Sequence, residues 1–350
     1  MSQQDHFTMP AEWAPHDAMW SAWPHDPEQW TEGLAEPQAA LMAMCAAMVD
    51  PDATGTPRGE RVELLVRSGA DEAAARALLG AAAVGVRFHH RGYGDVWLRD
   101  TGPIFVTRGG AGGGEVSAAR FSFDGWGGKY LMEGDREVSS FVTARSGVSG
   151  CAFDFVLEGG AIEVDGEGRL LTTKQCLLGG ARNPGLDEEA LEARLRWALG
   201  VEHIVWLDRG LQNDHTDGHI DTLARFVAPG VVAAMEPAAG DPNEAALRGI
   251  LADLRAARPG GRALEVVTVP SPGDVRDRAG NLLPASYMNF IIANTVVVVP
   301  TYGAAADDAA VAAIAKLFPG RRTVGLPGKP VVVGGGAFHC STQQQPSPPR

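Results

Sequence analysis

Cysteine is scarce in this chain, with four residues in 350, at 45, 151, 176 and 340. They have neither the density of a disulfide framework nor the paired spacing of a zinc module, and a reducing cytoplasm is the expected compartment. No run reaches the roughly eighteen uninterrupted apolar residues of a membrane-spanning helix. The opening MSQQDHFTMPAEWAPHD lacks a basic segment followed by an apolar one, so no secretory signal is expected either. Basic residues are in deficit. Lys+Arg number 30 against 43 Asp+Glu, a formal net charge of -13 that would repel nucleic-acid phosphates and is compatible with a small cationic ligand.

What is present is a repeating order of elements. Apolar periodicity and Ala/Leu/Glu/Arg content predict helices over 71–80, 135–146, 187–199, 241–258 and 306–318. Each is followed by a strand-like run: VGVRFHH, CAFDFV, VEHIVWL, LEVVTVP and RTVGLP. In four of the five, strand pairs rich in Val, Ile and Thr come next. Helix starts recur roughly every 50 to 65 residues, which points to repeated supersecondary units packed around a common centre. An ordinary α/β sheet of alternating elements would produce the same pattern. The chain reads as one domain, 1–350. TRGGAGGGEVS (107–117) reads as a flexible loop, and 344–350, ending in PSPPR, as a flexible tail. Trp13, Trp20, Trp23 and Trp30 read as core or loop packing.

Each unit also carries a polar cluster: WLRD (97–100), LEGG (157–160), GHID (218–221), YMNF (287–290) and FHCS (338–341). If the units surround one axis, Asp100, Glu158, His219, Asp221, Asn289 and Cys340 meet near it. Two fixed carboxylates can grip a planar guanidinium. A thiolate is a competent nucleophile and an imidazole can shuttle protons, so the set suits attack on a cationic carbon. Cys45, Cys151 and Cys176 read as small buried hydrophobes. Cys340 follows three glycines and stands between His339 and Ser341, a setting that fits a nucleophile as well as a buried thiol. HTDGHID (215–221) allows a metal reading, because on a strand His215, Asp217, His219 and Asp221 would share one face. No second ligand cluster and no zinc-type spacing accompanies it. WGGKY (126–130) lacks the pattern of a phosphate loop.

These motifs together resemble the agmatine deiminase family, related to bacterial peptidylarginine deiminases. The resemblance runs nearly end to end, through MPAEWAPHDAMWSAWPHDPEQW (9–30), DVWLRDTGPIFV (95–106), GWGGKY (125–130), LEGGAIEVDGEGRLLTT (157–173), HTDGHIDTLARF (215–226), YMNFIIANTVVVVPTYG (287–303) and HCSTQQQP (339–346). It implies an α/β fold, a five-bladed pseudo-symmetric α/β propeller (the pentein fold) of ββαβ-type units. It also implies hydrolytic deimination of agmatine to N-carbamoylputrescine and ammonia, through a covalent amidino-cysteine, in putrescine biosynthesis. Neither metal nor cofactor is called for.

On the resemblance, Cys340 matches the nucleophile, His219 the general acid/base, and Asp100 and Asp221 the carboxylates that hold the guanidinium. Glu158 would support that end of the pocket, Asn289 sits beside it, Trp97 would wall the channel, and Asp217 is counted among the substrate-binding groups. Two positions depart from the family pattern. Asp124 stands where asparagine is frequent, and His215 where an acid is common that could hold the distal ammonium of agmatine. Deimination of free or peptidyl arginine is the alternative activity, and non-catalytic binding of guanidino compounds the alternative of another class. The expected partner is a small guanidino substrate, with a homo-oligomer left open.

Overall fold

The computed structural model describes residues 7–109 and 114–349. From the amino-terminal side, β1 (His16–Ala22), α1 (Ala35–Val49), β2 (Arg61–Val66), α2 (Gly69–Leu79) and β3 (Val86–His90) follow one another, the three strands parallel in one sheet. In the next unit β4 (Ile104–Arg108) runs antiparallel to β5 (Glu115–Ser122). A crossover through α3 (Val138–Ser146) then brings β6 (Ser149–Val156) back parallel to β5.

That ββαβ order recurs three more times. The third unit is β7 (Glu163–Val164), β8 (Arg169–Thr173), α4 (Glu188–Leu199) and β9 (His203–Leu207). The fourth is β10 (Ala224–Ala228), β11 (Val231–Glu236), α5 (Glu244–Ala256) and β12 (Glu265–Pro270). Then come β13 (Ile291–Ile292), β14 (Val296–Thr301), α6 (Asp307–Leu317) and β15 (Arg322–Pro327). The last strand, β16 (Thr342–Pro346), pairs antiparallel with β1, Thr342 opposite Ser21 and Gln345 opposite Ala18. So β16, β1, α1 and β2 make the remaining ββαβ unit from the two ends of the chain, and α2 with β3 is an addition to it.

All five predicted helices are present, within a few residues of the expected bounds. The helix that sequence reading passed over is α1. Its buried residues, among them Leu41, Met42, Met44, Cys45 and Met48, surround it on most sides. Its exposed face, with Ala35, Ala39 and Ala43, is largely alanine, so no polar side sets off an apolar stripe. Local signals worked better for α2 and α4: the Ser68 side chain accepts from Asp71 N and that of Asp187 from Ala190 N, satisfying end donors that have no partner within the helix.

Three expectations need correction. Residues 344–346 are not tail: they lie in β16, with Gln344 and Gln345 buried, because β1 supplies the partners for their backbone groups. Ser347 N donates to Pro15 O at 2.8 Å, extending the pairing. In the glycine-rich stretch, 107–108 and 115–117 are strand residues, and the centre at 110–113 lies outside the described residues. Cys151 is exposed on β6, whereas Cys45 and Cys176 are buried as expected. Trp20, Trp23 and Trp30 are core residues, and Trp13 packs half-buried against the core.

A short turn precedes the first strand of every unit, and each polar cluster sits on one: Leu98–Thr101, Gly159–Ala161, Ile220–Thr222, Tyr287–Asn289 and 338–341. Neighbouring units are bonded at or beside these turns. Arg99 N donates to Cys340 O at 3.1 Å, Gly160 N to Asp100 Oδ1 at 2.9 Å and Thr173 Oγ1 to Gly218 O at 2.7 Å. Asn289 Nδ2 reaches Asp221 Oδ2 at 3.2 Å, and His339 N donates to Asn289 O at 3.2 Å, closing the circle. The units therefore surround one axis with their polar turns inward.

Because β16 supplies the outer partner of β1, a chain truncated before Thr342 is expected to lose cooperative unfolding. One truncated before Pro348 should melt within a few degrees of the full chain, as followed by circular dichroism.

Candidate active site

The turns leave a cavity of about 230 Å³, with Trp97, Asp100, Trp126 and Cys340 among its walls. The exposed Tyr130 and His215 stack at its outer edge, ring centroids 5.8 Å apart. Backbone on one side is the glycine run 334–336, and the reason is space. A Cβ on Gly336 would lie 2.9 Å from Cys340 Cβ and 2.8 Å from the Trp97 ring. A Cβ on Gly160 would come within 2.5 Å of His219 Nδ1.

Cys340 is 5% exposed. Its Sγ accepts from Asn289 Nδ2 at 3.1 Å and donates to Asp221 Oδ2 at 3.3 Å. Burial and the carboxyls of Asp221 and Asp100 push the thiol well above the usual cysteine range, so the empty site holds it protonated. Asp100 accepts from Trp126 Nε1 at 2.8 Å through Oδ2, and that oxygen lies 3.7 Å from His219 Nδ1. Burial, then Glu158 and Asp221, push Asp100 up to about 8.

Burial alone would raise Asp221 as well, but the hydrogen bond and charge of His339 more than offset it, and the carboxyl is held below its ordinary value. The buried His219 ring is pushed down to about 3 by desolvation, against the pull of Asp221, and is neutral. Neither His219 ring nitrogen has a hydrogen-bond partner, and Asp221 Oδ1 has none. Buried polar atoms are normally satisfied. Three orphans beside one cavity describe a site built for a ligand that donates hydrogen bonds and carries positive charge.

Glu158 and Asp217 stand apart from the cavity. Glu158 is fully buried, and both its oxygens accept from Arg182 Nε, at 2.7 and 2.9 Å. Asp217 is paired with Lys129 at 2.8 Å and with Arg182 Nη1 at 2.8 Å. It therefore pins the 215–219 turn and does not line the cavity, unlike the substrate contact expected for it. Asp214 also serves that turn, accepting from the backbone N–H groups of Thr216, Gly218 and His219.

The strand reading of HTDGHID fails. Asp217 and Gly218 adopt φ of 66° and 90°, the segment is a turn, and its four side chains do not share a face. Glu158, Cys176 and His219 do bring potential ligand atoms within 4.8 Å of one another. The Arg182 guanidinium already occupies the carboxylate, however, and opposes a cation there.

Sequence reading missed Trp126, Arg182 and Asp95. Trp126 lay in the glycine-rich WGGKY stretch that had been weighed as a phosphate loop. Arg182 comes from an irregular loop with no periodic signal, and its role exists only once Glu158 is folded against it. Asp95 lies inside DVWLRD, but its place on the cavity wall follows from the turn that Trp30 Nε1 braces, donating to Asp95 Oδ1 at 3.1 Å.

Residues 8–346 match a family model described as Porphyromonas-type peptidyl-arginine deiminase. The agmatine deiminase of Stutzerimonas stutzeri is 39% identical, over 99% of this chain and 97% of its own length. That of Ectopseudomonas mendocina is 38% identical, over 98% and 96%. Among solved structures, the agmatine deiminase of Enterococcus faecalis superposes with a TM-score of 0.89 at 32% identity, covering 98% of this chain and 97% of that one. A C. jejuni agmatine deiminase variant with substrate bound gives 0.87 at 25% identity, covering 100% and 99%.

Arg182→Met would leave Glu158 as a buried charge without its partner. It is expected to destabilise the fold by about 3–5 kcal/mol in urea unfolding. Most of that loss should be recovered in the double variant with Glu158→Gln, which removes the orphaned charge.

Proposed function

The chain belongs to the agmatine deiminase and Porphyromonas-type peptidyl-arginine deiminase family, and from that membership and the geometry of its cavity we propose that it hydrolyses agmatine to N-carbamoylputrescine and ammonia. The observation that carries the assignment is the set of unpartnered buried atoms, Asp221 Oδ1 and the His219 nitrogens, beside a thiol and the raised carboxyl of Asp100. A guanidinium supplies the missing charge and N–H donors, with Trp97 and Trp126 among the walls around a flat cation.

Asp100 and Asp221 hold the guanidinium, whose charge lowers the thiol from its high resting position. The Cys340 proton passes to neutral His219 as sulfur bonds to the guanidinium carbon. His219 then protonates one nitrogen of the tetrahedral adduct, the C–N bond breaks, ammonia leaves, and an amidino thioether remains. In the second half His219 takes a proton from water as its oxygen attacks that carbon. Collapse breaks the C–S bond, the His219 proton returns to sulfur, and the ureido product departs as the remaining hydroxyl proton is released to solvent. Splitting one substitution into two steps is the gain from covalent catalysis.

The cavity also favours agmatine over arginine. Among the described residues no lysine or arginine lines it, whereas Asp95 does. Lys129 is committed to Asp217 and to His215 O. An α-carboxylate would find no cation, whereas an ammonium can meet Asp95, whose carboxyl burial raises to about 7 and whose ionised form the ammonium would favour.

Cys340→Ala is expected to fold normally and to release no ammonia from agmatine, arginine or a peptidyl-arginine. Wild type should favour agmatine in kcat/KM and, on acid quench, carry an amidino mass on the Cys340 peptide. Turnover by the alanine variant would sink the covalent route, and a preference for arginine would leave the deiminase chemistry but end the agmatine assignment.

The pH dependence follows from Asp100. Its carboxyl, raised to about 8 in the empty site, is partly protonated at neutral pH, and the cation selects the ionised form. Hence kcat/KM should rise as pH increases through about 8, while kcat, which reports the loaded site, should titrate at lower pH.

A further inference from the structure

The imidazole beside the nucleophile does not face the cavity. His339 is 1% exposed and lies between two carboxylates, with Nδ1 2.8 Å from Asp221 Oδ2 and Nε2 2.8 Å from Glu12 Oε2. Each contact needs a hydrogen, and both oxygens belong to groups that are acceptors when ionised. A neutral imidazole supplies only one.

The surrounding charges are mixed. Glu12 also accepts from Arg225 Nη2 and from Ile292 N, and Arg225 is shared with Glu163. Arg99 donates to His339 O. On the far side of Asp221 stand His219, Asp100 and Cys340. Burial and the two guanidinium groups hold the His339 ring below the ordinary histidine value, while Glu12 and Asp221 pull the other way. A carboxylate oxygen at 2.8 Å from each ring nitrogen is the geometry that calls for a hydrogen on both. Glu12 is held well below the ordinary glutamate range, since burial is outweighed by Arg225 and His339, so it is not the site of the extra proton.

We propose that His339 is a positioning residue that carries protons on both ring nitrogens, fixes Asp221 through Oδ2, and so presents the unpartnered Asp221 Oδ1 to the substrate guanidinium. The chain of contacts runs from Glu12, near the other end of the sequence, through His339 and Asp221 to the Cys340 sulfur. Its function is to hold a second positive charge behind Asp221, so that this carboxylate stays ionised beside Asp100. The functional half of this inference rests on the deiminase reading, whereas the proton count does not.

The test uses the full-length protein with 15N-labelled histidine. The His339 signals, assigned by their loss in His339→Gln, should show both ring nitrogens protonated at about pH 7. In Glu12→Gln, which keeps the shape and removes one carboxylate, they should change to those of a neutral ring. That variant should lose roughly 10- to 100-fold in kcat/KM. The acid side of its kcat/KM profile should fall with two ionisations where wild type shows one, because Asp221 then takes up a proton as well.

A bare nitrogen on His339 in the wild-type spectrum overturns the proposal, and this outcome does not depend on Glu12→Gln. Ordinary activity with a single acid ionisation in Glu12→Gln overturns it too. A shift in melting temperature alone, with an unchanged pH profile, would mark His339 as packing and nothing more. Absence of deiminase turnover in the wild type would defeat the functional reading and leave the nitrogen spectrum to decide the proton count.

Discussion

A guanidinium buried at the centre of the ring, that of Arg225, is fully desolvated. The desolvation costs several kcal/mol unless hydrogen bonds and opposite charges replace the lost water. The structure supplies them from every side. Nε goes to Glu163 at 2.9 Å, Nη1 to the carbonyls of Met288 at 3.2 Å and Phe290 at 2.7 Å, and Nη2 to Glu12. These partners come from the amino-terminal segment and from the units on either side, so one side chain ties three units to the start of the chain. Arg99 repeats the arrangement one step away, donating to Gln343, Gln344 and His339 O. Two of the three glutamines after the nucleophile are thus ligands of a buried cation, and the third, Gln345, accepts from Trp20 Nε1.

The same low-dielectric interior sets the electrostatics of the cavity. Three carboxyls, Asp100, Glu158 and Asp221, are packed close enough to influence one another, and each meets a different neighbour. Glu158 has Arg182, Asp221 has His339, and Asp100 has only the neutral donors Trp126 and Gly160. Burial raises Asp100 and the thiol, neighbouring carboxyls add to the rise, and no cation offsets it. Glu158 is raised by burial as well, against the pull of Arg182. A positively charged ligand completes the set, which couples binding to ionisation of the groups that would act on it.

Closure of the ring makes this possible. The nucleophile's turn leads directly into β16, whose pairing with β1 brings residue 340 beside Arg99, Asp221 and Asn289 and residue 339 beside Glu12. Close approach at the axis leaves little room for side chains, which is why Gly160 and Gly336 sit where a methyl group would strike His219 or Cys340.

The repeating order of helices and strands was legible in the sequence because amphipathic periodicity and helix-start residues are local. Helix α1 was not, since its exposed face is largely alanine and gives no contrast with the buried one. The polar turns could be recognised as equivalent, and Asp100, His219, Asp221, Asn289 and Cys340 converge as their positions in the units imply. Tertiary structure decided which neighbour each of them meets. Glu158 and Asp217 turn to Arg182, His339 turns from the cavity to Glu12 and Asp221, and residues 344–346 of the supposed tail lie in an edge strand paired with β1. Charge states and contacts of this kind depend on desolvation and on partners from 24 to 327 residues away, for which no local pattern exists.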